Sequence, residues 1–451
     1  MKRVIEHYLW EWKGEPGRKS LLLRGARQVG KTFTVRRFGE TFESFFEVNF
    51  EKEPGLGSVF EPDLDPHRII RDLALARDTR IIPQETLLFL DEIQQVPRAI
   101  TALRYFYEEM PELHVVAAGS LLDFAIEEVG IPVGRVQSLH MYPMSFLEFL
   151  TAKGQSLAVE ALIQHSASEP LNEAVHGKLL REQGEYLAVG GMPEAVQEWV
   201  EHEDLRRCNR VHERLANTFR QDFAKYSKEH QIKYVDLVFS ETPRMLGQKF
   251  VFSRLAGTWR RRDLQPALEL LAKASIVHPV LQTAATGVPL GAEANSAQFK
   301  VLFLDVGLAE SLLGFDGGRW ILDHEATFAN AGALAEAFVG QELLAYGPVH
   351  RRTELYYWHR EARSSSAEVD YIVSAGQQVI PIEVKSGTRG GLKSMRLFLT
   401  SRSEVSPCGV RFSTHNFSSF EDLRSYPLYG VGSFVAGIDP AARAALESLV
   451  L

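Results

Sequence analysis

Apolar and polar positions alternate in blocks over the first 150 residues. Four apolar runs have the length of buried strands: residues 21–23, 46–50, 86–90 and 114–118. Helical segments, the first of them residues 33–42, lie between these runs. Strands separated by helices predict a doubly wound α/β domain with a parallel sheet. We place this domain at residues 1–150.

The pattern becomes mostly helical after this domain. From about 151 to 245, apolar residues recur at three-and-four spacing, with breaks at Gly190 and Pro193. Residues 250–281 indicate a helix, a turn, a second helix and a short strand, an order typical of a small winged-helix unit. We therefore predict a helical region over 151–290 that contains this winged-helix unit.

The last region, residues 291–451, mixes helices and strands. A helix is predicted over 333–347. Three strands, a second helix and a further strand are predicted after it: residues 354–360, 368–374, 379–386, 392–402 and 408–414. This order predicts an α/β domain whose first three strands form a meander.

Composition places the chain among ordinary globular proteins. It has 451 residues, of which 45% are hydrophobic and 24% charged, and this argues against a disordered or fibrous protein. The net charge of −8 means that any surface for nucleic acid must be a local patch. Two cysteines, Cys208 and Cys408, are too few for a disulfide framework or a four-thiolate zinc site. With no long apolar stretch and no signal-peptide pattern, we expect a cytoplasmic protein without a membrane span.

Residues 25–32, GARQVGKT, fit the phosphate-loop pattern G-x-x-x-x-G-K-[ST] at every fixed position. Glycines let the backbone turn tightly so that successive N–H groups face an anion, and the following helix adds its positive end. An apolar strand before the motif and a helical pattern after it disfavour an ordinary glycine-rich turn. We expect nucleotide contacts from Gly25, Arg27, Gln28, Val29, Gly30, Lys31 and Thr32.

ATP and Mg²⁺ are the ligands that this loop predicts. Lys31 should reach the β- and γ-phosphates as a catalytic cation, and the hydroxyl of Thr32 should bind Mg²⁺. Residues 87–92, LLFLDE, form an apolar strand that ends in two acids. Asp91 is then placed to hold Mg²⁺, and Glu92 to polarise the attacking water as a general base.

Two further residues near this sheet have alternative interpretations. Ser120 follows the strand 114–118, where it could contact the γ-phosphate or the attacking water, or serve as an ordinary helix N-cap. Arg135 could neutralise charge in the transition state as an arginine finger, or be a solvated surface arginine.

Asp370 and the triplet Glu383-Val384-Lys385 look like the PD-(D/E)xK nuclease pattern, although Val369 stands where a proline is expected. By spacing alone this pattern is expected about once by chance in a chain of this length. However, both acids lie in strand-like runs joined by a turn short enough for a hairpin. Asp370 and Glu383 are therefore candidate Mg²⁺ ligands.

The remaining members of this site follow from the same pattern. Lys385 projects from the same strand face as Glu383, where it could orient or deprotonate the attacking water. Glu336 is the candidate for a fourth member, and Glu342 is its rival. In the alternative interpretation, the acids pair with Lys385 and arginines as an ionic cluster that cleaves nothing.

Four arginines cluster inside the predicted winged-helix unit: Arg254, Arg260, Arg261 and Arg262. Such a patch would neutralise phosphates and make nucleic-acid binding depend on salt. Alternatively, it docks onto the acidic ATPase domain of the same chain.

Several segments together resemble one prokaryotic family. They are GARQVGKT, LLFLDEIQ, GSLLDF, GRVQSLHMYPMSFLEFL, YLAVGGMPEAV, EVDYIV and VIPIEVKSG. The family they resemble is an AAA-type ATPase followed by a domain of unknown function with a restriction-endonuclease-like core. The resemblance implies an ATP-binding and hydrolytic protein, and a ring or dimer in which a neighbour supplies an arginine. The chain departs from the family at Leu121, where a second serine is expected.

Three functions are compatible with these observations. The first is a Mg²⁺-dependent AAA-type ATP hydrolase that couples its nucleotide state to the winged-helix and nuclease-like regions. The second is an ATP-dependent DNA nuclease. The third is a nucleotide-gated module that binds DNA or a protein partner without cleavage.

Overall fold

The structure, a computed structural model, describes residues 1–130, 134–255, 257, 259–315, 317–322, 327–328, 331–362, 365–387 and 391–450. Its helices are α1 (Ile5–Gly14), α2 (Lys31–Gly39), α3 (Pro66–Arg77), α4 (Pro97–Glu109), α5 (Leu122–Val129), α6 (Phe146–Ala152), α7 (Ser156–Gln164), α8 (Glu173–Val189), α9 (Pro193–His202), α10 (Leu205–Tyr226), α11 (Glu229–Glu241), α12 (Arg261–Lys273), α13 (Val306–Leu312), α14 (Gly318–Leu322), α15 (Gly332–Ala345), α16 (Lys393–Ser401), α17 (Val431–Ile438) and α18 (Pro440–Glu447). Its strands are β1 (Ser20–Arg24), β2 (Ser44–Asn49), β3 (Thr86–Asp91), β4 (His114–Ala118), β5 (Val136–His140), β6 (Val277–Thr283), β7 (Ala294–Phe303), β8 (Leu355–Ala362), β9 (Ser365–Ala375), β10 (Gln378–Val384), β11 (Gly409–Ser413), β12 (Ser418–Phe420) and β13 (Leu423–Pro427).

The N-terminal sheet is parallel throughout its described strands, in the order β2-β3-β4-β1-β5. All residues of β3 and β4 are buried, as expected for strands covered by helices on both faces. The prediction of an α/β domain with a parallel sheet is therefore confirmed. Strand β5 was not predicted, because its sequence VQSLH contains no apolar run.

The order of strands sets the position of the site. Strand β4 lies between β1 and β3, since Ala117 pairs with Leu22 on one side and with Leu90 on the other. The carboxyl ends of the three strands therefore open onto one edge of the sheet, where ligands bind in open α/β folds. The phosphate loop, Ser120 and Asp91 follow or end these three strands.

A layer of helices from α7 to α11 follows the sheet. Helix α10 is its longest member, with buried apolar residues at helical spacing that include Val211, Leu215 and Phe219. The carboxylate of Asp204 caps its first turn by accepting a hydrogen bond from the backbone of Arg206. Helix α10 packs against α9 and α8, and its last turns approach the phosphate loop.

The segment 250–281 differs from its prediction. Its first expected helix is a 3₁₀ turn of three residues, Phe252–Arg254, because the preceding backbone pairs with β7. The amide of Phe250 donates to the carbonyl of Phe299 at 2.9 Å. The observed order is α11, α12 and the antiparallel hairpin β6–β7, and the expected boundary between 290 and 291 falls inside this hairpin. Residues 256 and 258 lie outside the described part.

The second sheet is mixed, and its described strands follow the order β12-β13-β11-β10-β9-β8-β6-β7. The predicted sequence of helix, three strands, helix and strand is confirmed as α15, β8, β9, β10, α16 and β11. The sheet also includes the hairpin β6–β7, because β6 pairs in parallel with β8. The short strand β12 was missed because its three residues are exposed and carry no apolar pattern.

Buried polar contacts join the regions. Glu342 of α15 accepts a hydrogen bond from the amide of Phe146 at 2.9 Å, and burial raises the pKa of its carboxyl to about 8. Asp305 accepts one from the amide of Gly191 at 2.6 Å. Because these contacts lie within one continuous apolar core, the N-terminal domain and the second sheet pack as a unit. Within the part of the chain described, no helix has the length and apolar character needed to cross a membrane.

Candidate functional site

The loop between β1 and α2 has the backbone of an anion-binding turn. Gly25 has φ +142°, and a Cβ there would lie 2.2 Å from the carbonyl oxygen of Met141. Gly30 has φ +98° at the start of α2, where only glycine adopts the conformation without strain. Gln28 also has positive φ, at 67°. These torsion angles turn the loop around the N-terminus of α2, the arrangement that binds phosphate in proteins.

Lys31 is buried, and among the residues that the structure describes no carboxylate lies within hydrogen-bond distance of its ammonium. Its side chain is 8% exposed, and its Nζ donates to the carbonyl oxygens of Gly25 and Ala26 at 2.9 and 2.8 Å. Burial lowers the pKa of Lys31 to about 8, although the negative charges of Glu92 and Asp91 act in the opposite direction. A buried ammonium with neutral partners favours the arrival of an anion.

Asp91 and Thr32 form an adjacent pair of oxygen donors. The hydroxyl of Thr32 donates to the two carboxylate oxygens of Asp91 at 3.2 and 3.1 Å. The amide of Asn49 donates to the same carboxylate at 2.8 Å. Burial, followed by the charge of Glu92, raises the pKa of Asp91. A hydroxyl and a carboxylate side by side fit Mg²⁺, which takes few protein ligands when phosphates supply the others.

Glu92 begins the turn after β3 in a left-handed conformation, with φ +52°. Its carboxylate accepts a hydrogen bond of 2.5 Å from the amide of Gln94. A Cβ on Gly119 would lie 2.0 Å from Oε1 of the same glutamine, so Gln94 fills the space between Glu92 and the end of β4. Gln94 was not among the predicted site residues, although its place two residues after the acid pair was an available signal.

Ser120 and Arg135 are in different surroundings. Ser120 is buried at the end of β4, and the N-cap of α5 is Leu121, with no side-chain hydrogen bond to the helix. The N-cap interpretation of Ser120 therefore does not describe its contacts. Arg135 is nearly half exposed and forms an ion pair of 2.6 Å with Glu108 of α4.

Arg27 links the phosphate loop to the helical layer. Its Nη1 lies 2.6 Å from both carboxylate oxygens of Asp222, which is buried near the end of α10. Lys225 contacts the same carboxylate at 3.0 Å, and Glu51 lies 3.6 Å from the guanidinium of Arg27. Nothing in the sequence around Asp222 indicates this contact, because the two residues are 195 positions apart.

A buried arginine before α1, Arg3, binds the backbone of the phosphate loop. Arg3 donates to the carbonyl oxygens of Val29 and Tyr142 at 2.8 and 2.7 Å, and to the carboxylate of Glu148 at 3.0 Å. Arg3 was not among the predicted site residues either. A cavity of about 390 Å³ adjoins it, and its wall includes Met1, Gly30, Phe33, Pro193 and Gln197.

The C-terminal candidates converge around a lysine that the sequence analysis did not single out. Lys300 of β7 is 2% exposed. Its Nζ donates to Glu336 at 2.8 Å, and lies 2.6 Å from Glu368 and 3.7 Å from Asp370. Burial alone would lower the pKa of Lys300, but the charges of these three carboxylates outweigh it and raise the pKa.

Asp370, Glu383 and Lys385 are close together, and Glu336, the expected fourth member, lies beside them on Lys300. The carboxylate of Asp370 accepts a hydrogen bond from the amide of Val384 at 2.8 Å. Lys385 donates to Oε1 of Glu383 at 2.5 Å. Burial raises the pKa of Glu383 to about 6, with a further contribution from Asp370. The rival Glu342 lies instead against Phe146, at the contact with α6.

The fit of this cluster to a divalent metal is poor. In the described part of the chain, no group of three or more His, Cys, Asp and Glu side chains is arranged to hold a metal ion. Asp370 accepts from a backbone amide with one oxygen and faces Lys300 with the other. Only Oε2 of Glu383 is buried without a hydrogen-bond partner among the described carboxylates of this cluster.

The arginines before and within α12 are exposed to solvent. Arg254 donates to Gln248 at 3.1 Å, and Arg261 donates to Gln265 at 3.1 Å. Arg262 is 74% exposed and lies 3.8 Å from Asp263. These contacts are local, and none reaches the N-terminal domain among the described residues.

Three family models match consecutive parts of the chain. Residues 17–150 match an AAA domain, residues 180–319 a domain of unknown function (DUF8612), and residues 331–428 another (DUF4143). A comparison with curated proteins gives no significant match. The AAA match, the parallel sheet and the phosphate loop identify residues 17–150 as an AAA-type, ATP-binding domain.

Several solved structures share a distant likeness. A Walker-type ATPase of Pyrococcus abyssi is 16% identical, with a TM-score of 0.42, over 69% of this chain and 93% of that one. The Hsp104–ADP complex of S. cerevisiae is 13% identical, with a TM-score of 0.26, over 61% of this chain and 38% of that one. The Orc1 protein of Aeropyrum pernix, solved with DNA, is 14% identical, with a TM-score of 0.25, over 70% and 93%.

Proposed function

We propose that the protein is a Mg²⁺-dependent ATP hydrolase of the AAA type that couples its nucleotide state to the helical layer. The observation that carries this proposal is the buried ammonium of Lys31, held by two carbonyl oxygens beside the Thr32–Asp91 pair. A triphosphate at the N-terminus of α2 would supply the anion that Lys31 lacks. The apolar cavity next to Gly30 has the size of a small-molecule site and suits the base of the nucleotide.

Hydrolysis is assigned to groups at the ends of β3 and β4. Glu92 polarises the attacking water as a general base, and Gln94 holds its carboxylate in place. Ser120 follows β4 at this edge of the sheet, and we assign it a contact with the γ-phosphate or the water. Thr32 and Asp91 would hold Mg²⁺, which neutralises phosphate charge when bound. Lys31 stabilises the charge that develops on the transferred phosphoryl group.

The test of this proposal separates binding from turnover. Lys31→Ala should abolish ATP binding, measured by fluorescence titration with a labelled ATP, because it removes the cation of the loop. Glu92→Gln should retain binding and slow hydrolysis by about 10²- to 10⁴-fold. Lys178→Ala, an exposed lysine of α8, is the matched control and should leave both unchanged. Hydrolysis at the wild-type rate by Lys31→Ala would contradict the proposal.

The contact between Arg27 and Asp222 is the proposed route of coupling. Arg27 belongs to the phosphate loop, and Asp222 belongs to α10. A γ-phosphate competes with the Asp222 carboxylate for the guanidinium, since both accept paired hydrogen bonds from arginine. Binding of ATP then weakens the contact that fixes the end of α10.

Hydrogen exchange of α10 tests this coupling. Binding of a non-hydrolysable ATP analogue should raise exchange in the last turns of α10 in the wild-type protein. Asp222→Asn should show the raised exchange without nucleotide and little further change with it. Glu213→Gln, on an exposed position of the same helix, is the control. Equal responses of wild type and Asp222→Asn would refute the role of this contact.

Nucleotide-gated DNA binding is a second candidate, favoured by the arginines of α12. Arg261 and Arg262 are exposed, and they contact Gln265 and Asp263 within the same helix. Exposed arginines at the start of a helix are suited to phosphate contacts. Replacing Arg260, Arg261 and Arg262 by Ala should weaken DNA binding and reduce its dependence on salt concentration, measured by filter binding. An unchanged salt slope would exclude this patch as the DNA contact.

A further inference from the structure

The carboxylate cluster of the second sheet already contains a cation. Lys300 enters it from β7, Glu336 from α15, and Glu368 and Asp370 from β9. The ammonium lies within 4 Å of all three carboxylates and 5.4 Å from the ring centroid of Tyr357. A carboxylate cluster gathered around a buried ammonium has the charge arrangement that the same acids would present to a metal ion.

Each of the two expected metal ligands has one carboxylate oxygen engaged in a hydrogen bond within the protein. Asp370 uses one oxygen for the amide of Val384 and directs the other towards Lys300. Glu383 uses one oxygen for Lys385. Mg²⁺ requires six oxygen ligands at about 2.1 Å, and it would have to enter a space that the ammonium of Lys300 already occupies.

We infer that Lys300 is the resident cation of this cluster and occupies the place of a divalent metal, so that the second sheet carries a metal-free ionic cluster and does not cleave DNA. Lys300 ties β7 to α15 and β9, and its role is to hold these elements together. The oxygens of Glu383 and Asp370 that make no hydrogen bond lie next to the ammonium groups of Lys385 and Lys300, whose positive charges oppose the retention of a divalent ion. This inference is independent of ATP binding by the N-terminal domain.

The inference predicts where a metal site can be created. Replacing Lys300 by methionine keeps an unbranched side chain but removes the terminal ammonium, which leaves three carboxylates around a vacated position. Mn²⁺ binding is measured by electron paramagnetic resonance on the full chain, without nucleotide, at pH 8. Any Mn²⁺ held by the phosphate loop is common to all variants, because that loop is unchanged in each of them.

The expected result is one additional Mn²⁺ per chain in Lys300→Met compared with wild type. The double variant Lys300→Met/Asp370→Asn should lose it, and Lys300→Arg should not gain it. Wild type and Asp370→Asn should bind equal amounts of Mn²⁺ and should show equal, background cutting of supercoiled DNA with Mg²⁺ and ATP.

Two outcomes overturn the inference. One is Mn²⁺ bound by wild type and lost in Asp370→Asn, and the other is DNA cutting by wild type that Asp370→Asn removes. If Lys300→Met does not fold, the comparison of wild type with Asp370→Asn still decides, with Glu383→Gln as a second probe of the same site. A folded Lys300→Met that gains no Mn²⁺ also contradicts the inference, because the vacated position would then not be a cation site.

Discussion

Two buried lysines, one in each sheet region, differ in what surrounds them. Lys31 donates to two neutral carbonyl oxygens, and burial lowers its pKa to about 8. Lys300 lies among three carboxylates, whose charges raise its pKa. Both side chains are less than a tenth exposed, so burial alone does not distinguish them. The difference lies in the charge balance of their immediate neighbours.

This contrast separates a ligand site from a structural cluster. A buried charge is costly unless an opposite charge compensates it. The protein supplies that charge to Lys300, whereas Lys31 must receive it from a bound anion. The cost of holding Lys31 without a counter-ion is then recovered when the triphosphate binds.

The largest expected effect is the change in the free energy of unfolding when the ammonium of Lys300 or of Lys31 is removed. Lys300→Met should lower the free energy of unfolding by about 3–5 kcal/mol, because three carboxylates are left without their buried cation. Lys31→Met should change it by no more than about 1 kcal/mol, since lost hydrogen bonds to carbonyls are offset by relief of the buried charge. Urea unfolding of both variants measures the difference. Equal destabilisation would contradict the conclusion that only Lys300 has its charge compensated within the protein.

The next effect concerns stabilisation by nucleotide. At an ATP concentration of 100 times its Kd, the wild-type protein should gain about 2.7 kcal/mol of stability. Lys300→Arg should gain the same amount, because it keeps the cluster charge and does not touch the nucleotide. Lys31→Met should gain nothing. Thermal unfolding with and without Mg·ATP measures these gains, and a gain in Lys31→Met would show that the anion site lies elsewhere.

The pH dependence of the apo protein gives a third comparison. The pKa of Lys31 is lower in the folded state than its ordinary value of 10.5, so the unfolded chain holds more protons between pH 8 and 10.5. The contribution of Lys31 to the free energy of unfolding therefore rises with pH across that window and is lowest below pH 8. From pH 7 to 10, the stability of wild type relative to Lys31→Met should rise by about 2.5 kcal/mol. If the stability difference between wild type and Lys31→Met does not change with pH, the ammonium of Lys31 already has a compensating negative charge in the apo protein.

The smallest effect is the proton taken up when ATP binds. With a pKa of about 8, Lys31 is half protonated at pH 8, and a phosphate beside it restores the full charge. Binding should then take up about half a proton per ATP at pH 8, and less at pH 7. Calorimetry in buffers of different ionisation enthalpy measures this number. Proton release at pH 8 would contradict the assigned charge state.

Much of the N-terminal site could be predicted from the sequence because its signals are local. The phosphate loop occupies eight consecutive residues, and Asp91 ends an apolar strand that is fully buried. Contacts between distant segments had no such signal. Arg3 and Asp222 reach the loop only after folding, from positions 26 and 195 residues away along the chain from their loop partners.

The role of Lys300 could be predicted from the sequence only in part. It stands within the apolar run of β7, where a single lysine between Phe299 and Val301 departs from the pattern. That departure was a usable signal, because a charged residue in a buried strand needs a partner. The partners themselves could not be named, since they come from a helix and a strand that follow much later. The 3₁₀ turn at Phe252–Arg254 was mispredicted for a related reason, as its neighbouring backbone pairs with β7.

The pairing of β6 with β8 determines where the chain can be divided into fragments. It joins a hairpin from the segment that matches one family to a strand from the segment that matches the next. A fragment ending at residue 319 would carry Lys300 without its three acids, and a fragment starting at 331 would expose the unpaired edge of β8. The two segments therefore complete one sheet, and a recombinant truncation between them should aggregate.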